Sequence, residues 1–541
     1  MVRGAGAGAA QRAGDGMVAI PAAARVDSVF ARFAAPGSPG CVVSAMRAGD
    51  VVFSRAYGLA NVETGARLDT GFVFAAGSIT KQFTAFAVAL LVAEGRLELD
   101  ADVHRYLPEL PRYPHRVTLR HLLHHVGGVR EYSELPSLAG DGRPGVELAE
   151  RVNGLSFVPG TQYLYSNTGF LLLGRVVERV TGEPLGRFMA ERIFRPLGMT
   201  HTLLPADSSQ AGSRGVAYAL REGRWVPMLP PVESQGDAGL LTTPADLARW
   251  DRNFYDARVG GRRVRAILHD TLRMAGGALS TYSFGLHREP YRGLAREYHG
   301  GLEYGFRTSW WRFPRQRLSV LTTCNTRTAE PDGLTERVAE LFLAPTLAAA
   351  GHAPAPEPRV DSAAVAPFLG FYVSRATHQY HNVAWRDGRL AVRMVVTYYE
   401  LSPLGGGRFA VRGEPITLAF RPRPDGGMEM EERSEAAGRA VVYERPGPNA
   451  PRPALADFAG DYASPELGAR WAIRPGGSGL VAAMPRDTAE LRPAAPDVFS
   501  DGYLLVVFRR DAAGRVTGFA ASTPRIFGVE FVRRSAVTST P

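Results

Sequence analysis

A serine and a lysine three residues apart are the residues of this sequence that are best suited to chemistry. Ser78 and Lys81 lie in the stretch Gly77-Ser78-Ile79-Thr80-Lys81, and Lys81 is the single lysine in a chain with 63 Lys and Arg residues. A buried lysine can give up its proton, whereas an arginine in a protein cannot. A lysine one helical turn from a serine therefore predicts a general base beside a nucleophile.

The residues around this pair indicate a helix that would set the spacing of the two side chains. Ser78 is a favourable N-cap residue, apolar residues then recur at helical spacing through Leu91, and Gly95 ends the pattern. Backbone N–H groups at a helix start would also suit a developing oxyanion. Because serine is common, the pair alone also fits a capped helix with an incidental lysine.

Length and composition describe a globular protein of about three domains. Of its 541 residues, 45% are hydrophobic and 21% are charged, and the net charge of +10 comes from arginines spread along the chain. Without a basic block or a nucleic-acid motif, we predict no nucleic-acid partner. Cys41 and Cys324 lie in strand-like surroundings, and we interpret them as small core residues rather than as a disulfide framework.

Neither a metal site nor a membrane segment is indicated. His121, His124 and His125 are close in sequence but lack the carboxylates of a metal site, so we predict no metal and no cofactor. The longest apolar piece near the N-terminus, residues 17–20, is too short for a signal-peptide core or a membrane span. We expect a disordered leader over residues 1–22, no membrane association and a cytoplasmic protein, with export by another route left open.

The chain is predicted to form one α/β domain, a linker and two β-barrels. Strand-like segments at residues 40–54 and 318–324 flank several helical ones, which favours a sheet whose terminal strands meet around a helical insert. We place this domain at residues 23–345 and an Ala- and Pro-rich linker at 346–362.

A repeated motif predicts the two barrels. Phe368-Leu369-Gly370-Phe371-Tyr372 recurs as Phe458-Ala459-Gly460-Asp461-Tyr462, and each copy is followed by short strands and turns. This duplication indicates two small antiparallel, lipocalin-like barrels, at residues 363–447 and 448–541.

Two further triplets add weight to the serine and the lysine. Tyr165-Ser166-Asn167 lies in a polar loop before a predicted helix, and His299-Gly300-Gly301 opens a predicted strand. Each triplet is weak evidence when taken separately, because Tyr165 also fits a buried aromatic and His299-Gly300-Gly301 also fits a plain turn. Together with Ser78 and Lys81, in this order along the chain, they favour a catalytic reading.

With these motifs the chain resembles the penicillin-recognising serine hydrolases, which share a Ser-x-x-Lys signature and comprise β-lactamases, DD-peptidases and related esterases and aminopeptidases. The resemblance implies a β-lactamase/transpeptidase-like domain: an antiparallel sheet with helices and an all-helical insert. His299 stands where the family signature has the lysine of Lys-Thr-Gly, which puts β-lactam hydrolysis in doubt. The histidine and the tandem barrels are closest to the three-domain D-aminopeptidases.

The resemblance also implies roles for individual residues. Ser78 would be acylated, Lys81 would take its proton, and Tyr165 would share in proton transfer to the leaving group. His299 would stabilise the tetrahedral state or bind substrate. The backbone N–H groups of Ser78 and Leu302 would form the oxyanion hole. The remaining implied substrate-binding residues are Asn167, which would also orient Lys81, and Gly300 and Gly301.

The predicted function is that of a serine hydrolase acting through an acyl-enzyme on peptides or amides with an N-terminal D-amino acid. In the D-aminopeptidases that the chain resembles, a loop of the last barrel is expected to narrow the active site. The comparable connection looks short in this sequence, so a more open site that accepts esters or longer peptides is an alternative. A carboxylesterase, a DD-peptidase-like or β-lactamase-like hydrolase, and an inactive ligand-binding or sensor protein are the other readings. The expected partner is a small molecule or short peptide, and a homodimer is left open.

Overall fold

A seven-stranded antiparallel sheet organises the part of the chain that carries Ser78. The computed structural model describes residues 18, 20–206, 215–228, 236–349, 361–386, 388–394, 397–412, 416–434, 439–447 and 454–534. The strands of its first half are β1 Cys41–Arg47, β2 Asp50–Tyr57, β3 Leu59–Asn61, β4 Ala66–Arg67, β5 Phe74–Ala75, β6 Ala217–Arg221, β7 Arg224–Met228, β8 Leu241–Thr242, β9 Tyr282–Ser283, β10 Leu286–Arg288, β11 Glu297–Glu303, β12 Phe306–Phe313 and β13 Leu318–Cys324.

The order of the strands joins the two ends of the predicted α/β domain. The sheet runs β2-β1-β13-β12-β11-β10-β9, and β1 pairs directly with β13. The expectation that the first and last strands meet is therefore confirmed. Residues between them in sequence form small two-stranded sheets, β3 with β4, β5 with β8 and β6 with β7.

Helices cover both faces of this sheet, so β13 is buried along its whole length. The α-helices among the described residues are α1 Ala23–Val29, α2 Thr80–Ala93, α3 Leu119–Leu123, α4 Leu135–Ala139, α5 Gly145–Ala149, α6 Asn167–Thr181, α7 Leu185–Met189, α8 Arg195–Leu197, α9 Pro244–Asp256, α10 Gly261–Leu268, α11 Pro331–Ala349 and α12 Ser362–Val365. On one face α1 and α11 share an apolar core with β1 and β13. On the other, Ser319 of β13 donates a hydrogen bond to Asp251 of α9 (2.7 Å).

The described residues group into two units. The first contains residues up to 107, 170–271 and 281–355, and the second contains 108–169, 272–280 and residues from 356 onward. The helical insert thus groups with the barrels. The domain limits predicted from the sequence stay predictions. The predicted leader falls mainly on residues outside the described ones, as does most of the linker, whose first residues continue α11 as far as Ala349.

Two closed eight-stranded barrels confirm the predicted duplication. The strands of the first are β14 Gly370–Ser374, β15 Gln379–Arg386, β16 Arg389–Met394, β17 Thr397–Gly405, β18 Arg408–Val411, β19 Ile416–Pro422, β20 Met428–Ser434 and β21 Arg439–Arg445. Those of the second are β22 Gly460–Ser464, β23 Ala469–Gly476, β24 Gly479–Ala483, β25 Thr488–Ala495, β26 Val498–Ser500, β27 Leu505–Arg510, β28 Val516–Thr523 and β29 Ile526–Arg533.

The repeated motif has the same structural role in both barrels. Tyr372 donates its hydroxyl to the carbonyl of Phe368, and Tyr462 donates to that of Phe458, both at 2.8 Å. Each tyrosine therefore ties the entry segment to the first strand of its barrel. The hydrogen bond explains why the tyrosine recurs, and the phenylalanine recurs because its ring packs on an aromatic ring inside the barrel, Phe368 on Phe420 and Phe458 on Phe508.

The second barrel and the helical insert share one apolar core within the second unit. Trp471 of β23 is buried against the rings of Phe519 and Phe531, and its indole N–H donates to the carbonyl of Leu138 in α4 (3.0 Å). The same cluster takes in residues of α4 and α5. Beside it, Arg130 makes two hydrogen bonds to the carboxylate of Glu466 (2.9 and 3.0 Å).

The interpretation of Cys41 and Cys324 as unlinked core residues is wrong. Both are buried, as expected, but they form a disulfide between directly paired positions of β1 and β13. Antiparallel pairing brings facing side chains close enough for such a bond, and only the register of the sheet reveals it. Among the residues that the structure describes, no helix combines the length and the apolar character needed to cross a membrane.

Candidate active site

Ser78 lies in a 3₁₀ turn, Gly77–Ile79, that leads directly into α2. The prediction that Ser78 caps the helix is wrong, because α2 begins two residues later, with Ile79 at its N-cap position and no side-chain cap. The hydroxyl of Ser78 faces Lys81 instead. The helix ends as predicted before Gly95, which is in the left-handed region at φ +77°, with Glu94 as its C-cap residue.

Lys81 is fully buried and points back at the serine. Its Nζ lies 3.2 Å from Ser78 Oγ and donates to the backbone carbonyl of Asp237 at 2.9 Å. The ring of Phe170 lies 5.6 Å from the same nitrogen. An amine this close to a hydroxyl can accept the hydroxyl proton when the amine is neutral.

The segment that contains Asp237 is anchored to α2 by two threonines. Thr84 donates to the carbonyl of Gly236 (2.6 Å), and Thr80 accepts a hydrogen bond from the backbone N–H of Leu240 (3.2 Å). Both threonines lie within one turn of Lys81 on the same helix. The carbonyl that binds Lys81 is therefore held by the helix that carries the lysine.

Two glycines allow the turn at Ser78 to approach β11 closely. A Cβ on Gly301 would lie 2.1 Å from the carbonyl oxygen of Ala76, and one on Gly77 would lie 2.6 Å from the backbone nitrogen of Leu302. Gly77 also has φ +55°, which glycine adopts without strain. The chain around Ser78 and the nitrogen of Leu302 thus come together, as an oxyanion hole would require.

His299 lies on β11 with both ring nitrogens engaged. Nδ1 lies 2.5 Å from the carbonyl oxygen of Gly300, and Nε2 lies 3.0 Å from the hydroxyl of Tyr282. Because a carbonyl can only accept, Nδ1 carries the proton, and Nε2 of a neutral ring then accepts from Tyr282. Burial first, and then His287 and Lys81, hold the pKa of His299 well below its usual value. His299 is therefore a neutral group of fixed tautomer.

We expect the pH profile of kcat/KM to show no step from His299 between about pH 5 and 8. Since its pKa is lowered, the ring gains a second proton only at more acidic pH, where Nε2 stops accepting from Tyr282. The measurement compares kcat/KM against pH for the wild type and for His299→Gln. An acidic limb near pH 6.5 in the wild type that disappears in the variant would contradict a neutral His299.

Tyr165 and Asn167 belong to the second unit, where two backbone hydrogen bonds hold the end of the loop before α6. The ring of Tyr165 lies 4.2 Å from that of His125, whose Nδ1 accepts from the backbone N–H of Ser166 (3.1 Å). The backbone N–H of Asn167 donates to the buried carboxylate of Glu131 (2.7 Å). The predicted loop and the helix after it are therefore present, with α6 beginning at Asn167.

Arg525, in the turn between β28 and β29, faces this loop. Its guanidinium carbon lies 5.6 Å from the ring centre of Tyr165. Burial opposes the charge of Arg525, but Glu131, Glu134 and the two tyrosines Tyr165 and Tyr503 outweigh it and raise the pKa. The backbone N–H of Arg525 donates to Glu134 at 2.8 Å, which fixes the turn on the insert. The last barrel thus places a permanent cation beside the Tyr165 loop.

Sequence reasoning missed three residues that surround the predicted ones: Tyr282, Arg525 and Glu303, whose carboxylate lies beside the turn of Ser78. None of them belongs to a recurring motif. Two further segments contact α2 near Lys81: Gly236-Asp237-Ala238-Gly239-Leu240, whose Asp237 carbonyl binds Lys81, and Phe284-Gly285-Leu286. In the second, a Cβ on Gly285 would lie 2.6 Å from the backbone nitrogen of Gln82 in α2.

Comparison with known proteins finds related sequences over most of the chain. The sequence matches the family described as Beta-lactamase over residues 26–344. A D-aminopeptidase of Gluconobacter oxydans is 30% identical over 462 residues, which is 82% of this chain and 82% of that protein. A D-aminopeptidase of Brucella canis is 27% identical over 519 residues, covering 92% of this chain and 96% of that protein.

A solved structure shares the fold over most of the chain. The octameric penicillin-binding protein homologue from Pyrococcus abyssi has a TM-score of 0.55 and 22% identity, and the match covers 86% of this chain and 99% of that one. The fold and the Ser78–Lys81 pair define a serine hydrolase of the penicillin-recognising class. The chain belongs to the β-lactamase family.

Proposed function

We propose that this serine hydrolase is an aminopeptidase or amidase that releases an N-terminal D-amino acid from peptides or amides through an acyl-enzyme. The observation that carries the proposal is the buried Lys81 amine, 3.2 Å from the hydroxyl of Ser78, next to a neutral His299. The relatives named D-aminopeptidase, which match over most of their length, support the choice of substrate class.

In the proposed reaction Ser78 Oγ attacks the substrate carbonyl carbon while its proton passes to Lys81 Nζ. The oxyanion that forms would be stabilised by the backbone N–H groups of Ser78 and Leu302. The C–N bond then breaks, and the amine leaves with the proton that Lys81 took from Ser78, passed on through Tyr165 in the role that the family resemblance implies for it. Water then attacks the ester on Ser78 while one of its protons passes to Lys81; the C–O bond to Ser78 breaks, the acid leaves, and Lys81 returns the proton to Ser78 Oγ.

The His299-Gly300-Gly301 motif favours substrates that carry no carboxylate near His299. The family signature has a lysine there, and its ammonium would attract an anionic substrate group. His299 offers a neutral ring whose Nε2 accepts from Tyr282 and whose Nδ1 is directed at the carbonyl of Gly300. Such a ring gives no charge attraction to the carboxylate of a β-lactam or of a D-Ala-D-Ala terminus. Gly300, Gly301 and Leu302 would bind the substrate through the backbone of β11, and Asn167 through its side-chain amide.

A panel of four chromogenic substrates tests the proposal. We expect kcat/KM for D-alanine p-nitroanilide to exceed that for L-alanine p-nitroanilide and for N-acetyl-D-alanine p-nitroanilide by roughly tenfold or more, and nitrocefin to be turned over most slowly. A dominant nitrocefin rate would contradict the role given to His299. Equal rates with and without the N-acetyl group would rule out an aminopeptidase in favour of a general amidase.

A carboxylesterase is the second candidate function. Activated esters are cleaved more readily than amides, so the test compares the rate on an activated ester with the rates on the amide substrates. A p-nitrophenyl acetate rate that exceeds every amide rate, with no preference between D- and L-alanine, would favour it. A catalytically inactive sensor would leave all these substrates intact while the protein is folded. Ser78, Lys81 and their 3.2 Å contact argue against that reading.

The cytoplasmic localisation predicted from the sequence stays a prediction. The Cys41–Cys324 disulfide weighs on the other side, because such bonds persist chiefly in oxidising compartments. The homodimer left open by the sequence also stays a prediction. The Pyrococcus abyssi protein is described as octameric, and that assembly belongs to that protein.

A further inference from the structure

We propose that Glu303 is a positioning residue of this active site, whose carboxylate holds the turn of Ser78 and the segment that binds Lys81 in one arrangement. The inference rests on the proposed function only in taking Ser78 as the nucleophile and Lys81 as its base. It does not depend on which substrate the enzyme prefers.

One carboxylate oxygen joins two separate segments of the first unit. Glu303 Oε2 accepts a hydrogen bond from the backbone N–H of Gly77 (3.1 Å) and another from that of Gly239 (3.2 Å). Gly77 directly precedes Ser78. Gly239 lies two residues after Asp237, whose carbonyl accepts from Lys81. A single side chain thus links the nucleophile turn to the segment that orients the base.

The register of β11 explains why this side chain reaches the turn. Side chains alternate along a strand, so His299, Gly301 and Glu303 share one face. Gly301 is the point of closest approach to the carbonyl of Ala76. His299 and Glu303 therefore flank the Ser78 turn from either side of this glycine, with the neutral ring on one side and the carboxylate on the other.

The turn needs this acceptor because of its own geometry. The N–H groups at the start of a helical turn have no partner within the helix, and Gly77 is the first residue of the 3₁₀ turn. Its N–H is directed at Glu303 while its carbonyl accepts from Thr80 (2.6 Å). Both the N–H and the carbonyl of Gly77 are therefore held. Because the carbonyl of Gly77 and the N–H of Ser78 belong to one planar peptide group, the N–H of Ser78 has a fixed direction, which an oxyanion hole requires.

We expect Glu303→Ala to lower kcat about a hundredfold and to change KM less than about threefold. The reason for the loss in kcat is that the turn of Ser78 is no longer held by the carboxylate, and a displacement of a reacting group by about 1 Å costs about a hundredfold in rate. Glu303→Gln should recover most of the loss, because its amide oxygen can accept from both N–H groups. Glu330→Ala, an exposed carboxylate in the same unit, is the matched control and should retain wild-type kinetics.

The experiment measures kcat and KM on p-nitrophenyl acetate and the rate at which a fluorophosphonate phosphonylates Ser78, with the melting temperature of each variant as a check on folding. Neither reagent carries an ammonium group, so these readouts are valid even if the D-amino acid preference is wrong. A reduced rate in Glu303→Ala that Glu303→Gln restores supports the proposal. An unchanged rate in Glu303→Ala would overturn it, and so would a Glu303→Gln protein as slow as Glu303→Ala, since charge rather than hydrogen bonding would then matter.

Discussion

Replacing Lys81 by arginine is expected to lower kcat/KM about a thousandfold while the protein stays folded. Arginine keeps a positive charge of similar reach, but it cannot accept the proton of Ser78 at any pH at which proteins are stable. Steady-state kinetics on the best p-nitroanilide of the panel give the ratio directly. Because Lys81 is the single lysine of the sequence, this change leaves a chain without any lysine side chain.

The control for this variant is Arg96→Lys, which adds a lysine at an exposed position just after α2. We expect wild-type rates from it, and we expect the double variant Arg96→Lys, Lys81→Arg to be as slow as Lys81→Arg alone. A Lys81→Arg protein that retains a tenth or more of wild-type kcat/KM would show that Lys81 is not the base.

Replacing Trp471 by alanine is expected to destabilise the second unit by about 4 kcal/mol, which is the usual cost of removing a buried tryptophan. The indole is enclosed by Phe519 and Phe531, and its N–H is the hydrogen-bond donor to the carbonyl of Leu138. The change therefore opens a cavity and removes the donor to that carbonyl. Differential scanning calorimetry should show the transition of this unit lowered by roughly 10 °C.

Trp471→Phe separates the two contributions, because it keeps an aromatic ring in the core and removes only the donor and part of the volume. We expect a loss of about 1–2 kcal/mol from it. Trp225→Ala, a half-buried indole on the β6–β7 hairpin, is the control and should leave the transition of the second unit in place. If Trp471→Ala melts with the wild type, the insert and the barrel do not share a core.

The pair Ser78 and Lys81 could be predicted from the sequence because the two residues are close together in it. A lone lysine three residues after a serine, followed by helical periodicity, is enough to place both side chains on one turn, and the structure has them 3.2 Å apart. The repeated Phe and Tyr of the barrels could also be recognised, because a duplicated ring contact and a duplicated tyrosine hydrogen bond leave a duplicated pattern. The contact of the first and last strands followed from their apolar runs at the two ends of the domain.

Contacts that depend on register and on long separations could not be read in the same way. Cys41 and Cys324 are 283 residues apart, and only the pairing of β1 with β13 brings them together. Glu303 shares no pattern with Gly77 or Gly239, since its hydrogen bonds go to backbone N–H groups, which every residue type except proline provides. The polar role of Tyr282 appears only when β9 and β10 set its hydroxyl against His299.

Labelling with a fluorophosphonate followed by peptide mass mapping tests the central claim most directly, namely that Ser78 is a nucleophile activated by Lys81. The account predicts a stoichiometric adduct on the peptide that contains Ser78, no adduct on folded Ser78→Ala, and labelling slowed about a thousandfold in Lys81→Arg. A folded wild-type protein that takes up no label, or takes it up on another residue while Ser78 stays free, would contradict it.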